Sequence, residues 1–430
     1  LSNAGAVSRA DVDAKLKSLL AIGAVSLGVM LLGFVIREPA PYELYMVGLI
    51  GVWALFGLRI SRPIAPLLLL LVLFNLGGLV AMTQMAIIGG TPLYLAVSLF
   101  LALTAVFFAA VTENQPQLFK PIFIAWTIAA VATAFLGIAG YFNAFPGAVM
   151  FTKYERASGA FQDPNVFGPF LTLPAVYLLN RLIVGPARMM PVYSALLLVI
   201  MGGIFLSFSR GAWGVFGLSS SLMMIGLFFS TSSGLLRLRI IVMSILAVAA
   251  LVIALLVILQ IPEIAERFAS RAQLAQDYDS ARLGRFARYS LGFLMAMEHP
   301  LGIGALVFGT IFHEDTHNIW LKAILDYGWL GFASYLVLIV WTLAGGARIL
   351  LRERPWQPYL LCAYVVFVAH VALGSIIDTD HWRHFYALLG LIWGCMALEW
   401  RQQRQQSNPP ANRMVGRSTK FALASRLATY

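Results

Sequence analysis

Charge is what this 430-residue chain has least of: 11% of its residues are Asp, Glu, Lys or Arg, against 60% hydrophobic. An ordinary soluble domain carries about 25% charged residues, and a mean hydropathy of +0.83 means more apolar surface than one water-soluble core can hide. Lipid is the solvent such a chain requires. Cysteine is nearly absent. Cys362 and Cys395 are the only two, both within apolar runs, which argues against a disulfide framework or a zinc site. Acidic residues are scarce beside basic ones, 19 against 30, for a formal charge of +11. In so apolar a chain that excess points to membrane-facing loops and anionic lipid rather than to nucleic acid. No internal repeat of fixed period is present, and no cleavable leader is read at the start. Residues 1–4 read as a tag remnant, and the first apolar stretch, from near Lys17, is long enough to span.

What the chain has in quantity is long apolar runs. A helix needs roughly 20 apolar residues to cross the hydrocarbon. Twelve candidates meet that need, near 17–36, 42–59, 64–83, 92–111, 120–141, 164–184, 189–208, 211–230, 239–260, 327–347, 357–377 and 383–400. The fold class expected is therefore an all-α integral membrane protein with about 12 transmembrane helices. Placing the N-terminus inside puts 19 of the 30 basic residues in inner loops or the tail, as the positive-inside rule demands. An even span count then puts both termini inside. The expected organisation is an inner N-terminus at 1–16, nine spans over 17–260, an outer loop over 261–326, three spans over 327–400 and a basic, polar tail over 401–430, which is expected to be disordered.

The basic residues left outside are concentrated. Arg210 sits in the tight turn Ser209, Arg210, Gly211, where it either snorkels to a phospholipid phosphate or clamps a lipid-linked phosphate. Arg282, Arg285 and Arg288 recur at steps of three, so one helix face carries all three. They either rest on headgroups or grip an anion, for which guanidinium forks suit phosphate oxygens. His299 precedes Pro300, Gly302 and Gly304 and reads as a structural turn. Asp315 or Thr316 is expected to cap a helix starting at about His317 and stopping near Gly328. In its first turn the helix dipole would favour a neutral His317, the form a general base needs; the alternative is a histidine serving as a polar cap. The expected cap lies between His313 and His317, which argues against a zinc pair there. Asp378 and Asp380 form either a solvated loop or an acidic metal pair.

Four blocks, in this order and sidedness, resemble the O-antigen ligase and O-antigen polymerase superfamily. They are Gly159 to Asn165; Ser209, Arg210 and Gly211; Gly284 and Arg285 with Tyr289 and His299 to Gly304; and His317 and Asn318 with Leu321, Gly328 and Gly331. The resemblance covers about 150–345, and Tyr289 stands where the family usually has Trp. It implies a GT-C-like fold with a large helical periplasmic loop between the ninth and tenth spans. It also implies transfer of a glycan from undecaprenyl diphosphate to an acceptor at the periplasmic face of a Gram-negative inner membrane. For the ligase branch that acceptor is a lipid A–core sugar. The reaction would be inverting, independent of metal and without a cofactor. The residues the resemblance assigns to catalysis are His317, Arg210 and Arg285. Arg282, Arg288, Asn318, Asn165 and Arg156 are expected to contact diphosphate or glycan. The partners are the lipid-linked donor, the lipid A–core acceptor and membrane lipid, with the oligomeric state open. Alternatives are an O-antigen polymerase, a protein O-oligosaccharyltransferase or a multi-span transporter. One outer loop dominates, which leans to the ligase. The spans hold few polar groups (Asn75, Asn180 and His370 chiefly), which leans away from transport.

Overall fold

The computed structural model describes residues 9–272 and 284–407. Its helices are α1 (Arg9–Leu31), α2 (Pro41–Leu55), α3 (Ala65–Met82), α4 (Thr91–Asn114), α5 (Phe119–Tyr141), α6 (Pro164–Val184), α7 (Met190–Leu206), α8 (Arg210–Ser230) and α9 (Gly234–Ile258). There follow α10 (Pro262–Ala272), α11 (Arg285–Glu298), α12 (Val307–Phe312), α13 (Ile319–Leu350), α14 (Gln357–Gly374) and α15 (Arg383–Ser407). Proline opens α2, α3, α4, α6, α7 and α14, where its missing N–H costs no helical hydrogen bond.

Every expected span holds a helix. Among the described residues nine helices are long and apolar enough to cross a membrane: α3, α4, α5 with the short turn before it, α6, α7, α8, α9, α13 and α14. The stretch expected at 42–59 is helical only over the 15 residues of α2, short of the roughly 20 a perpendicular span needs. Helices α1 and α15 stand outside those nine.

Close helix contacts are made where side chains are smallest. Helix α13 lies on α3 at Gly77, where an added Cβ would come within 2.7 Å of Gly331 N. Beside it Phe74 and Tyr327 stack with ring centroids 3.9 Å apart. Helix α15 lies on α4 through Gly390 and Gly394. Helices α6, α7 and α8 pack together, with α14 along α8 and α5 along α7 and α1. Helix α9 is the outlier, with Ile240 its one buried residue.

Among the described residues, the outer loop expected over 261–326 holds α10, α11, α12 and the first turns of α13. Residues 273–283, with Arg282, lie outside the described ones. Helix α13 is two helices joined across a kink at Gly328 (φ 63°, ψ −174°). The turn Pro300 to Gly304 docks on that break. Trp329 N donates to Pro300 O at 3.0 Å and Ile303 N donates to Leu325 O at 2.7 Å. A Cβ on Gly328 would lie 2.6 Å from Leu301 O, and its positive φ is costly for any side chain. The two sequence blocks are thus one joint, which sets the angle at which the 313–318 loop meets the bundle.

Candidate functional site

The end of the bundle formed by the α5–α6, α7–α8 and α14–α15 connections collects most of the expected residues. The first wall is built from residues 148–165. Two short strands, β1 (Thr152–Lys153) and β2 (Arg156–Ala157), pair antiparallel across Tyr154 and Glu155, both at positive φ. The hairpin turns Arg156 inward. Its Nε donates to Ser207 O at 2.6 Å and its Nη2 donates to Asn165 Oδ1 at 2.8 Å. Gly159 follows at φ +54°, with no room for a Cβ beside Thr133 Oγ1, and Ala160 N donates to that hydroxyl at 2.8 Å. Asp163 then caps α6 by accepting from Asn165 N, with Pro164 at the first helical position. The Gly159–Asn165 block is therefore a turn-and-cap unit, and Arg156 is a strut between it and the α7–α8 turn.

Ser209 caps α8, its Oγ accepting from Ala212 N, and this places Arg210 in the helix's first turn, half-buried. Gly211 lies against Leu373 at the end of α14. Two residues on, Ser375 meets the third wall: its Oγ accepts from Trp320 Nε1 at 3.0 Å. Tyr289 Oη lies 3.1 Å from His317 O and 3.2 Å from Ser375 O, one hydroxyl bridging both carbonyls. The segments that carry Arg210 and His317 thereby both meet the α14 terminus.

His317 is held in the left-handed region at φ 51°. Its imidazole Nδ1 stands 3.6 Å from Asp378 Oδ2, with the histidine side chain 36% and the aspartate 16% exposed. The other carboxylate oxygen, Oδ1, is buried and makes no hydrogen bond within the described residues. Asp378 thus stands at ion-pair distance, just beyond hydrogen-bond reach, from an imidazole that solvent still reaches.

The expected cap is corrected. Asn318, not Asp315 or Thr316, caps α13, its Oδ1 accepting from Trp320 N at 3.0 Å and Leu321 N at 3.3 Å. Asp315 is committed elsewhere, to Lys322 Nζ at 3.0 Å, and Thr316 Oγ1 donates to Asn318 O. His317 consequently precedes the cap and does not sit in the first turn. Asn318, expected to contact substrate, spends its side-chain oxygen on the cap.

Arg288 is buried and ion-paired to Glu314, which ties α11 to the loop carrying His317. Arg285 opens α11, and its side chain lies outside the described ones. His299 Nδ1 lies 2.9 Å from Met295 O, in keeping with a structural turn.

Beneath His317 lies a buried polar layer with no sequence signal beyond its composition. Lys322, 4% exposed, is 3.0 Å from Asp315 and 3.3 Å from Asp326. Asp380 accepts from Tyr94 Oη at 2.5 Å and pairs with His381 at 3.0 Å. Burial alone would raise the Asp380 carboxyl, but Lys322, His381 and the Tyr94 hydrogen bond outweigh it and hold the group below the usual carboxylate range. Asp378 and Asp380 therefore answer to different partners, the first to His317 and the second to this layer. Among the described residues no cluster of three or more His, Cys, Asp or Glu has metal-holding geometry.

Removing Lys322 leaves the buried carboxylate of Asp326 without its cation, a change that costs about 3–5 kcal/mol. Lys322→Met is expected to lower the thermal unfolding midpoint in detergent sharply. An unchanged midpoint would show that the layer does not hold the 313–318 loop.

Residues 195–336 match the family model described as O-antigen ligase. That stretch takes in Arg210, Tyr289, His317 and the Gly328 joint, and it ends before Asp378. No curated protein matches the chain. The chain is a multi-pass membrane protein, and residues 195–336 are its stretch of similarity to the O-antigen ligase family.

Proposed function

We propose that this protein transfers an undecaprenyl-diphosphate-linked glycan to a hydroxyl of lipid A–core, at the periplasmic face of the inner membrane. The observation that carries the reading is the His317–Asp378 pair at the same end of the bundle as Arg210. A glycosyl transfer that inverts the anomeric carbon needs a base for the acceptor proton and countercharge for the leaving diphosphate. In this scheme Asp378 keeps the Nδ1 proton of His317, so Nε2 presents its lone pair. The acceptor oxygen attacks the anomeric carbon as Nε2 takes its proton. The bond from that carbon to the phosphate oxygen breaks, and its electron pair leaves with the diphosphate. Arg210 stabilises that charge, with Arg285 as the second guanidinium and Arg282 in support. Arg156, Asn165, Arg288 and Asn318 hold the walls and the loop in place, so they act by positioning.

The twelve-helix topology with both termini cytoplasmic belongs to the same proposal, since it puts this end outside. Purified protein given lipid-linked glycan and lipid A–core is expected to make a conjugate of the two, seen as a mass increase on lipid A–core. Lengthening of the donor glycan instead would move the reading to polymerisation, and neither product would move it away from glycan transfer.

A further inference from the structure

The opposite end of the bundle holds a second charged assembly with no part in that chemistry. Arg352 and Arg354, in the turn between α13 and α14, converge on Glu399 of α15. Arg352 Nη1 donates to Glu399 Oε1 at 2.6 Å. Arg354 donates through Nε to Oε2 at 2.7 Å and through Nη2 to Oε1 at 3.0 Å, and Gln403 Nε2 adds a bond at 2.9 Å. Two guanidiniums share one carboxylate that is 3% exposed, while Arg352 remains 39% exposed. Only Nη1 of Arg352 is given to Glu399.

The pair opens onto a cavity of about 420 Å³ lined by Ser230, Leu351, Arg352, Glu353, Arg354 and neighbouring residues of the turn. Ser230 ends α8 and directly follows Phe228 and Phe229. Those two phenylalanines, with Met224 and Ile225, face Ile240, Ile241 and Ile245 of the sparsely packed α9 across an apolar groove of about 310 Å³. The Arg237 guanidinium lies 5.4 Å from the centre of the Phe228 ring, and its Nη2 donates to Thr231 O at 2.9 Å.

A cavity presenting the exposed guanidinium of Arg352, followed in the chain by an apolar groove, matches one kind of molecule. We propose that this end binds an anionic phospholipid of the surrounding bilayer, its phosphate against Arg352 and one acyl chain between α8 and α9. Basic pockets between membrane helices suit anionic headgroups for this reason. Glu353 also lines the cavity and disfavours headgroups of higher negative charge, so the fit is to a single phosphate diester.

Native mass spectrometry of the delipidated protein, given phosphatidylglycerol and phosphatidylcholine with identical chains, tests this. Phosphatidylglycerol is expected to be retained over phosphatidylcholine by about fivefold, roughly what one basic residue contributes near an anionic surface. Arg352→Gln, which leaves Arg354 and Gln403 on Glu399, should abolish the preference without moving the unfolding midpoint. Ile241→Trp should fill the groove and lower retention of both lipids. Inorganic phosphate in excess should not displace the bound lipid. Equal retention of the two lipids by the wild type would overturn the proposal. So would an unaltered preference in folded Arg352→Gln, full retention in Ile241→Trp, or complete displacement by phosphate, the last of which would mark a bare anion site.

Discussion

Replacing His317 by alanine is expected to lower the rate of glycan transfer by about 10²- to 10⁴-fold, the usual contribution of a positioned general base. Its backbone carbonyl still accepts from Tyr289 and the cap at Asn318 is untouched, so insertion and thermal stability should be preserved. Asp378→Asn should show a smaller loss, falling on kcat more than on KM, because the carboxylate beside Nδ1 acts on the proton transfer and not on substrate binding. A loss confined to KM would give Asp378 no part in that transfer. Transfer at the wild-type rate by a well-folded His317→Ala protein would remove the base from this mechanism.

The second large effect is expected at Arg210. Removing one preorganised donor from a developing negative charge costs about 10²- to 10³-fold in the rate constant, and Arg210→Gln should lose that much. Arg210→Lys should recover only part of it, since an ammonium offers a point charge where guanidinium offers a planar fork. The loss should fall on kcat more than on KM, because the interaction strengthens as the diphosphate departs. A pure KM effect, or equal activity in Lys and Gln variants, would fit a headgroup-snorkelling arginine.

The helices were legible because lipid leaves the chain so little choice. Backbone groups must be satisfied within each span, so runs of apolar residues between Pro, Gly and Arg mark the elements. What failed at α2 was its length, since the apolar run continues through Leu58 but the helix stops at Leu55. The Gly159–Asn165 block and the Pro300–Gly304 turn were visible as motifs, while their function as wall and joint was not. Each depends on a distant partner, Thr133 and Arg156 in one case and the Gly328 break in the other. The cap was misplaced for a related reason: Asp315 and Asn318 are both good caps locally, and only the tertiary pairing with Lys322 decides between them. Asp378 read as half of an acidic pair with Asp380. Its alignment with His317 arises from the folding of α14 back beside α13, which no local spacing records.

Glycan transfer as proposed requires Arg210 and His317 to serve one pocket at one membrane face. Single cysteines at exposed sites beside each, Tyr154→Cys in the hairpin and His313→Cys in the loop, test it in intact cells, with Cys362 and Cys395 buried and silent. Both are expected to react with a membrane-impermeant thiol reagent added from the periplasmic side, while Gln405→Cys beyond the far end of the bundle should react only after the membrane is opened. Labelling of Tyr154→Cys and His313→Cys from opposite sides would contradict the shared pocket, and with it the glycan transfer built on it.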